Sequence, residues 1–170
     1  PFRCAAFLDK AFLAGDYEAP WRADGGPCAG QLTAPEPLLQ MMALFAGRTE
    51  DALAVERATA ARLAEIEAKQ PRQAQPLRLL LALMKGVRLL HEGAFAEAAA
   101  TLREAERQMP WWSGDGGGAL RLIALITLAR AEELAGDPEA SARTLATLRA
   151  VNPDFAGWYG KFPPTASAAP

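Results

Sequence analysis

The chain has 170 residues, 51% of them hydrophobic and 8% aromatic, with 18 Lys and Arg against 20 Asp and Glu for a net charge of −2. That length suits one domain with a sizeable core, and the charge balance argues against a nucleic-acid binder held mainly by phosphate contacts, which needs a basic surplus. No apolar run reaches the roughly 18 residues of a membrane-spanning helix, and no stretch alternates with period two over strand length. The apolar content, Ala and Leu rather than aromatics, points to close-packed helices.

Phe2 to Ala14 reads as a short helix with Phe7, Leu8, Ala11 and Phe12 on its apolar side, ending at Gly15-Asp16-Tyr17-Glu18. From Ala19 to Pro37, residues such as Pro20, Gly25, Gly26, Pro27, Gly30 and Pro35 forbid a long helix,. An irregular stretch of this length is either functional or a cap. Pro37 to Ala46 makes a second helix, closed by Gly47-Arg48. Thr49 is placed to cap the third, with Glu50 and Asp51 in its first turn, favourable against the helix dipole. That helix is expected to run to about Gln70 with Leu53, Val55, Leu63 and Ile66 inward, and Pro71 and Pro76 bracket a linker.

The central stretch, Leu77 to Pro110, reads as two antiparallel helices joined at His91-Glu92-Gly93. Gly86, Ala98 and Ala105 are small where the helices must approach, and Leu79, Leu83, Leu89, Leu90, Phe95 and Leu102 fill the space between. Gly93 suits the left-handed conformation that ends a helix, and Pro110 stops the second one. Trp111 and Trp112 then open a Gly-rich insertion. They either pack over the end of the hairpin or form a partly exposed aromatic anchor, the residue type that dominates interfaces. A helix follows from Ala119 to Leu134, then Gly136, then Pro138 in the first turn of the last long helix, which Asn152-Pro153 ends. Residues 164–170 read as a disordered tail, leaving one domain over 1–163.

Gly86, Leu89, Gly93, Phe95, Ala98, Leu102, Ala105 and Pro110 fall at the spacing of a 34-residue helix–turn–helix unit, and Ala129, Gly136, Leu145, Leu148 and Pro153 repeat part of it. The pattern resembles the tetratricopeptide repeat, most clearly over 79–112 and 122–155. The resemblance implies an all-α fold, a short right-handed α-solenoid of antiparallel helix pairs whose N-terminal units are degenerate, as capping units are. It also implies a concave partner-binding groove lined by the first helix of each pair. Carried over by position, the first of these helices contributes Leu80, Leu83, Val87, Leu90 and His91; the second contributes Ile123, Ile126, Arg130, Glu133 and Leu134. Family members that clamp a chaperone's C-terminal carboxylate use Lys and Asn where this chain has Leu83 and Val87, so its groove would suit an apolar segment or be filled by the chain's own Ala19–Pro37 stretch. Pro153, Phe155 and Trp158 are also similar to the close of helical-repeat regions in some bacterial transcription regulators and nucleotide cyclases.

No constellation of residues suggests an enzyme. The carboxylates pair at helical spacing with bases, as Glu65 with Lys69 and Glu139 with Arg143. His91, the sole histidine, stands at a helix C-terminus where a cation suits the dipole, with no Ser or Cys motif beside it. Cys4 and Cys28 with one distant His fall short of a metal site, and no cofactor motif is present. The two cysteines flank the Pro/Gly stretch and are either a disulfide or two reduced thiols. A disulfide and the absence of an initiator residue would lean the location to the periplasm over the cytoplasm. The expected function is therefore a non-enzymatic protein–protein interaction module, a scaffold or adaptor that takes a peptide or helix. The alternative is a sensory or regulatory ligand-binding domain of a larger signalling or transcription-regulating protein.

Overall fold

The computed structural model describes residues 2–22, 28, 37–108, 117–157 and 159–161, and among these the regular structure is all helical. The helices are α1 (Phe2–Leu13), α2 (Pro37–Phe45), α3 (Thr49–Lys69), α4 (Gln75–His91), α5 (Phe95–Gln108), α6 (Gly117–Leu134), α7 (Pro138–Val151) and the five-residue α8 (Pro153–Gly157). Single 3₁₀ turns occur at Ala19–Trp21, Pro71–Gln73 and Tyr159–Lys161. Where composition suggests one domain over 1–163, the chain divides into two compact units, Pro1–Met84 and Lys85–Pro170, with the division inside α4.

One turn design recurs four times. Gly15, Gly47, Gly93 and Gly136 all have positive φ, between 72° and 86°. In each case the glycine N–H bonds back three residues and the next N–H bonds back five, as Gly47 to Leu44 at 3.0 Å and Arg48 to Ala43 at 2.8 Å. This double closure satisfies carbonyls at the helix end that would otherwise be orphaned. In the last three turns the residue after the glycine also accepts the first helical bond of the next helix: Ala52 donates to Arg48, Ala98 to Ala94 and Ser141 to Asp137. A single residue thus closes one helix and opens the next. This corrects the expected capping role of Thr49. The position before it is already fixed by the turn, so Arg48 starts α3 without a side-chain cap and Thr49 lies inside the helix. Asp137 holds the same place before α7 and does cap it, accepting from the Ala140 N–H at 2.9 Å.

In the first unit, α2 is buried from Pro37 through Leu44. Phe12, Tyr17 and Phe45 form an aromatic cluster, with ring centroids 5.2 to 6.2 Å apart. The inward stripe of α3 is Ala52, Val55 and Thr59 rather than the larger Leu53, Leu63 and Ile66, which are half-buried. Buried Gln40 donates to the Met84 carbonyl at 3.0 Å and to Glu56 at 3.2 Å, tying α2 to α3 and α4. Cys4 of α1 and Cys28 stand at disulfide distance, with Cα atoms 4.7 Å apart, inside the usual range for a bridge.

In the second unit, Gly86 of α4 faces Leu102 of α5 so closely that an added Cβ would lie 2.5 Å from the leucine Cγ. Ala98 and Ala105 are buried along the same α5. α5 packs on α6, α6 on α7, and α7 on α8. Ile123 to Ala129 of α6 are all buried, because this helix has neighbours on more than one side. Polar ties join these helices: Arg121 of α6 reaches Glu106 of α5 at 3.2 Å, and Glu132 joins three helices at once.

Candidate functional site

The residues expected to line a groove separate by burial. Leu83, Val87, Leu90 and Ile126 are at most 2% exposed, and Leu80 and Ile123 are 7% exposed. His91, Arg130 and Leu134 are half-buried and Glu133 is exposed. Leu80 and Leu83 belong to the first unit and the other eight to the second. The side chains left accessible are therefore those of His91, Arg130, Glu133 and Leu134, at the C-terminal ends of α4 and α6.

Arg130 and Glu133 are one turn apart on α6, and the C-terminal 3₁₀ turn brings Tyr159 onto them. The Tyr159 hydroxyl donates to Glu133 Oε2 at 2.6 Å, Arg130 Nη1 donates to the same oxygen at 2.8 Å, and the Arg130 guanidinium lies 5.7 Å from the Tyr159 ring centroid. The electrostatics follow from these contacts. Burial pushes the Tyr159 phenol up to about 12, and Glu133 beside it adds to the shift. Ser141, buried on α7, acts on the tyrosine hydroxyl in the opposite sense, lowering its pKa. The hydrogen bond from Tyr159, then that from Arg130, hold the Glu133 carboxyl below the usual carboxylate range,.

Two polar atoms here have no hydrogen-bond partner: His91 Nδ1 and Arg130 Nε, both shielded from water. Burial lowers the His91 pKa, outweighing the opposing pull of Glu92. Burial thus opposes the cationic form that its place at a helix end favours,.

No family model matches the chain. No curated protein and no solved structure does either.

The second unit also has a polar cleft of about 410 Å³ among α5, α6 and α7, lined in part by Arg103, Glu106, Glu132, Asp137, Arg143 and Thr144. At its base the Glu132 side chain, 3% exposed, accepts from Arg103 Nη2 at 2.8 Å and from Thr144 Oγ1 at 2.7 Å. Burying a polar side chain this deeply costs free energy unless it is hydrogen-bonded. Among the described residues no group of three or more His, Cys, Asp or Glu could hold a metal ion, and no helix is long and apolar enough to cross a membrane. Trp111 and Trp112 lie outside the described residues, as do most of 19–37 and the tail 164–170.

Sequence reasoning missed Glu132, Ser141 and Tyr159. The signal for Glu132 was available: in Ala131-Glu132-Glu133-Leu134 it continues the stripe of Leu125, Leu128 and Ala129 at helical spacing,. Tyr159 had no comparable signal, since it lies beyond the last long helix.

Proposed function

We propose that this chain is a non-enzymatic protein–protein interaction module of tetratricopeptide-like design. Its helices pair antiparallel in a short right-handed solenoid, and a peptide or helix docks along the ends of α4 and α6. One observation carries the reading: His91 Nδ1 and Arg130 Nε are shielded polar atoms without partners. Leaving such a group unpaired costs about 1–3 kcal/mol, and a docking segment that displaces what shields them can supply the missing partners. The four matched glycine turns support the repeat design. The Cys4–Cys28 pair supports an oxidising compartment,, and the periplasm is the proposed location.

Selection of a random displayed-peptide library on the immobilised chain tests this. Enriched peptides should bind the unaltered chain and lose about tenfold or more in affinity to Arg130→Leu and to His91→Phe, the loss expected for one unpaired group. Failure to enrich any peptide, or affinities insensitive to both changes, refutes the docking surface. The polar cleft favours a second reading, a regulatory domain that binds a small polar ligand. Screening for ligands whose binding shifts the NMR signals of Arg103, Thr144 and Arg143 separates the two.

A further inference from the structure

We propose that Arg130, Glu133 and Ser141 form a seat for a tyrosine side chain of the partner segment, which the chain's own Tyr159 occupies while no partner is bound. The inference rests on the docking surface proposed above and names the residue that enters it.

The seat matches a phenol on three sides. Glu133 accepts the hydroxyl hydrogen bond at 2.6 Å, Ser141 of α7 acts on the same hydroxyl and lowers its pKa, and the Arg130 guanidinium lies 5.7 Å from the ring centroid, within reach of a cation–π contact. A phenylalanine would gain the ring contact but not the hydroxyl bond, leaving Arg130 as the remaining donor to Glu133 Oε2. A site built to bond a hydroxyl discriminates strongly against the analogue that lacks it.

The present occupant is carried on a short segment. Tyr159 stands in a three-residue turn after α8, which has five residues, too few for a helix stable by itself. The occupant also leaves the seat incomplete, because Arg130 Nε stays unpaired with Tyr159 in place. A partner segment can bring a tyrosine and a backbone carbonyl together, and so satisfy both. A tethered occupant competes at an effective concentration in the millimolar range, so Tyr159 sets a threshold that weak or incomplete partners do not pass. Protonation of Glu133 would weaken the latch in acid, since its carboxyl is held low by this contact.

The test uses the full chain and two small probes, N-acetyltyrosinamide and N-acetylphenylalaninamide. In Tyr159→Ala the seat is empty, and NMR titration should show the tyrosine amide binding about tenfold or more tighter than the phenylalanine amide. Glu133→Gln added to this variant should erase the preference. The unaltered chain should bind the tyrosine amide more weakly than Tyr159→Ala does. Equal binding of the two amides by Tyr159→Ala, or equal binding of the tyrosine amide by variant and unaltered chain, overturns the proposal. Should Tyr159→Ala lose its helical circular dichroism, the unaltered chain still decides. An excess of the tyrosine amide should then move the Tyr159 ring signals toward their free-peptide positions, and the phenylalanine amide should not; identical effects overturn it. Library peptides that bind without an aromatic hydroxyl, unaffected by Tyr159→Phe, would sink the seat and leave the docking surface standing. Tyrosine amide binding with no enriched library peptide would do the reverse.

Discussion

At the scale of single residues, Gly86 and His91 show how the site's surroundings are set. Gly86 has an ordinary helical backbone, and its need for glycine comes from Leu102, whose Cγ would lie 2.5 Å from an added Cβ. Gly86→Ala should therefore destabilise by about 1–3 kcal/mol through overpacking, although alanine is the better helix former by about 1 kcal/mol. A denaturant midpoint unchanged or raised would show that α4 and α5 separate easily at this crossing. The sequence marks Gly86 as a close-approach residue and suggests Ala98 opposite it, but the side chain that meets it is Leu102, on the same face of α5. His91 makes a different point. Its pKa lies below the ordinary 6.5 because burial disfavours the imidazolium, so the native state holds fewer protons than the unfolded chain as pH falls. Its contribution to stability is present above 6.5 and lost as pH drops through the lowered native value. The NMR midpoint of the His91 ring should lie below 6.5, and His91→Gln should reduce the loss of stability between pH 6.5 and 5.5. A midpoint at or above 6.5 would mean that the ring is solvated and its Nδ1 bonded to water.

At the scale of elements, the four turns were legible and the termini between them were not. Gly15, Gly47, Gly93 and Gly136 stand out in sequence because each interrupts an apolar helix and precedes a new start, and all four adopt the same left-handed closure. Thr49 is not the cap, because one residue, Arg48, both closes α2 and opens α3. α6 begins at Gly117, two residues before the expected start, because glycines argue against a helix by propensity alone. An added Cβ at Gly136 would meet nothing within 4 Å, so any cost of substitution there is conformational. Gly136→Ala should lose about 1–2 kcal/mol from the left-handed backbone, and Gly136→Asn less, since Asn tolerates that region. If Ala and Asn proved equal in thermal unfolding, the strain account of the turn would fail. The polar tie at Glu132 was hidden for another reason. An acid in a helix beside Arg103 and Thr144 looks solvated until the fold places its side chain at 3% exposure.

At the scale of the whole molecule, the all-helical class followed from composition and periodicity, whereas the division at Met84 and Lys85 inside α4 did not. A continuous amphipathic helix carries no mark of where the contacts around it change sides. The Cys4–Cys28 pair belongs entirely to the first unit, where it joins α1 to a chain position 24 residues on. Closing a loop of that length restrains the unfolded chain and stabilises by about 3 kcal/mol in the chain-entropy account. That is a large fraction of the roughly 5–15 kcal/mol that holds a domain together. Material matured in an oxidising compartment, denatured without reductant and treated with a thiol reagent, should show no reactive thiol, matching the absence of a free cysteine. Reduction, or the Cys4→Ser/Cys28→Ser pair, should then lower the denaturant midpoint. Two titratable thiols in such material would remove both the bridge and the argument for the periplasm. The tyrosine seat would be untouched by that outcome, since Arg130, Glu133, Ser141 and Tyr159 all lie in the second unit. A double serine variant that binds the tyrosine amide as the unaltered chain does would show that the first unit's covalent tie serves stability and not recognition.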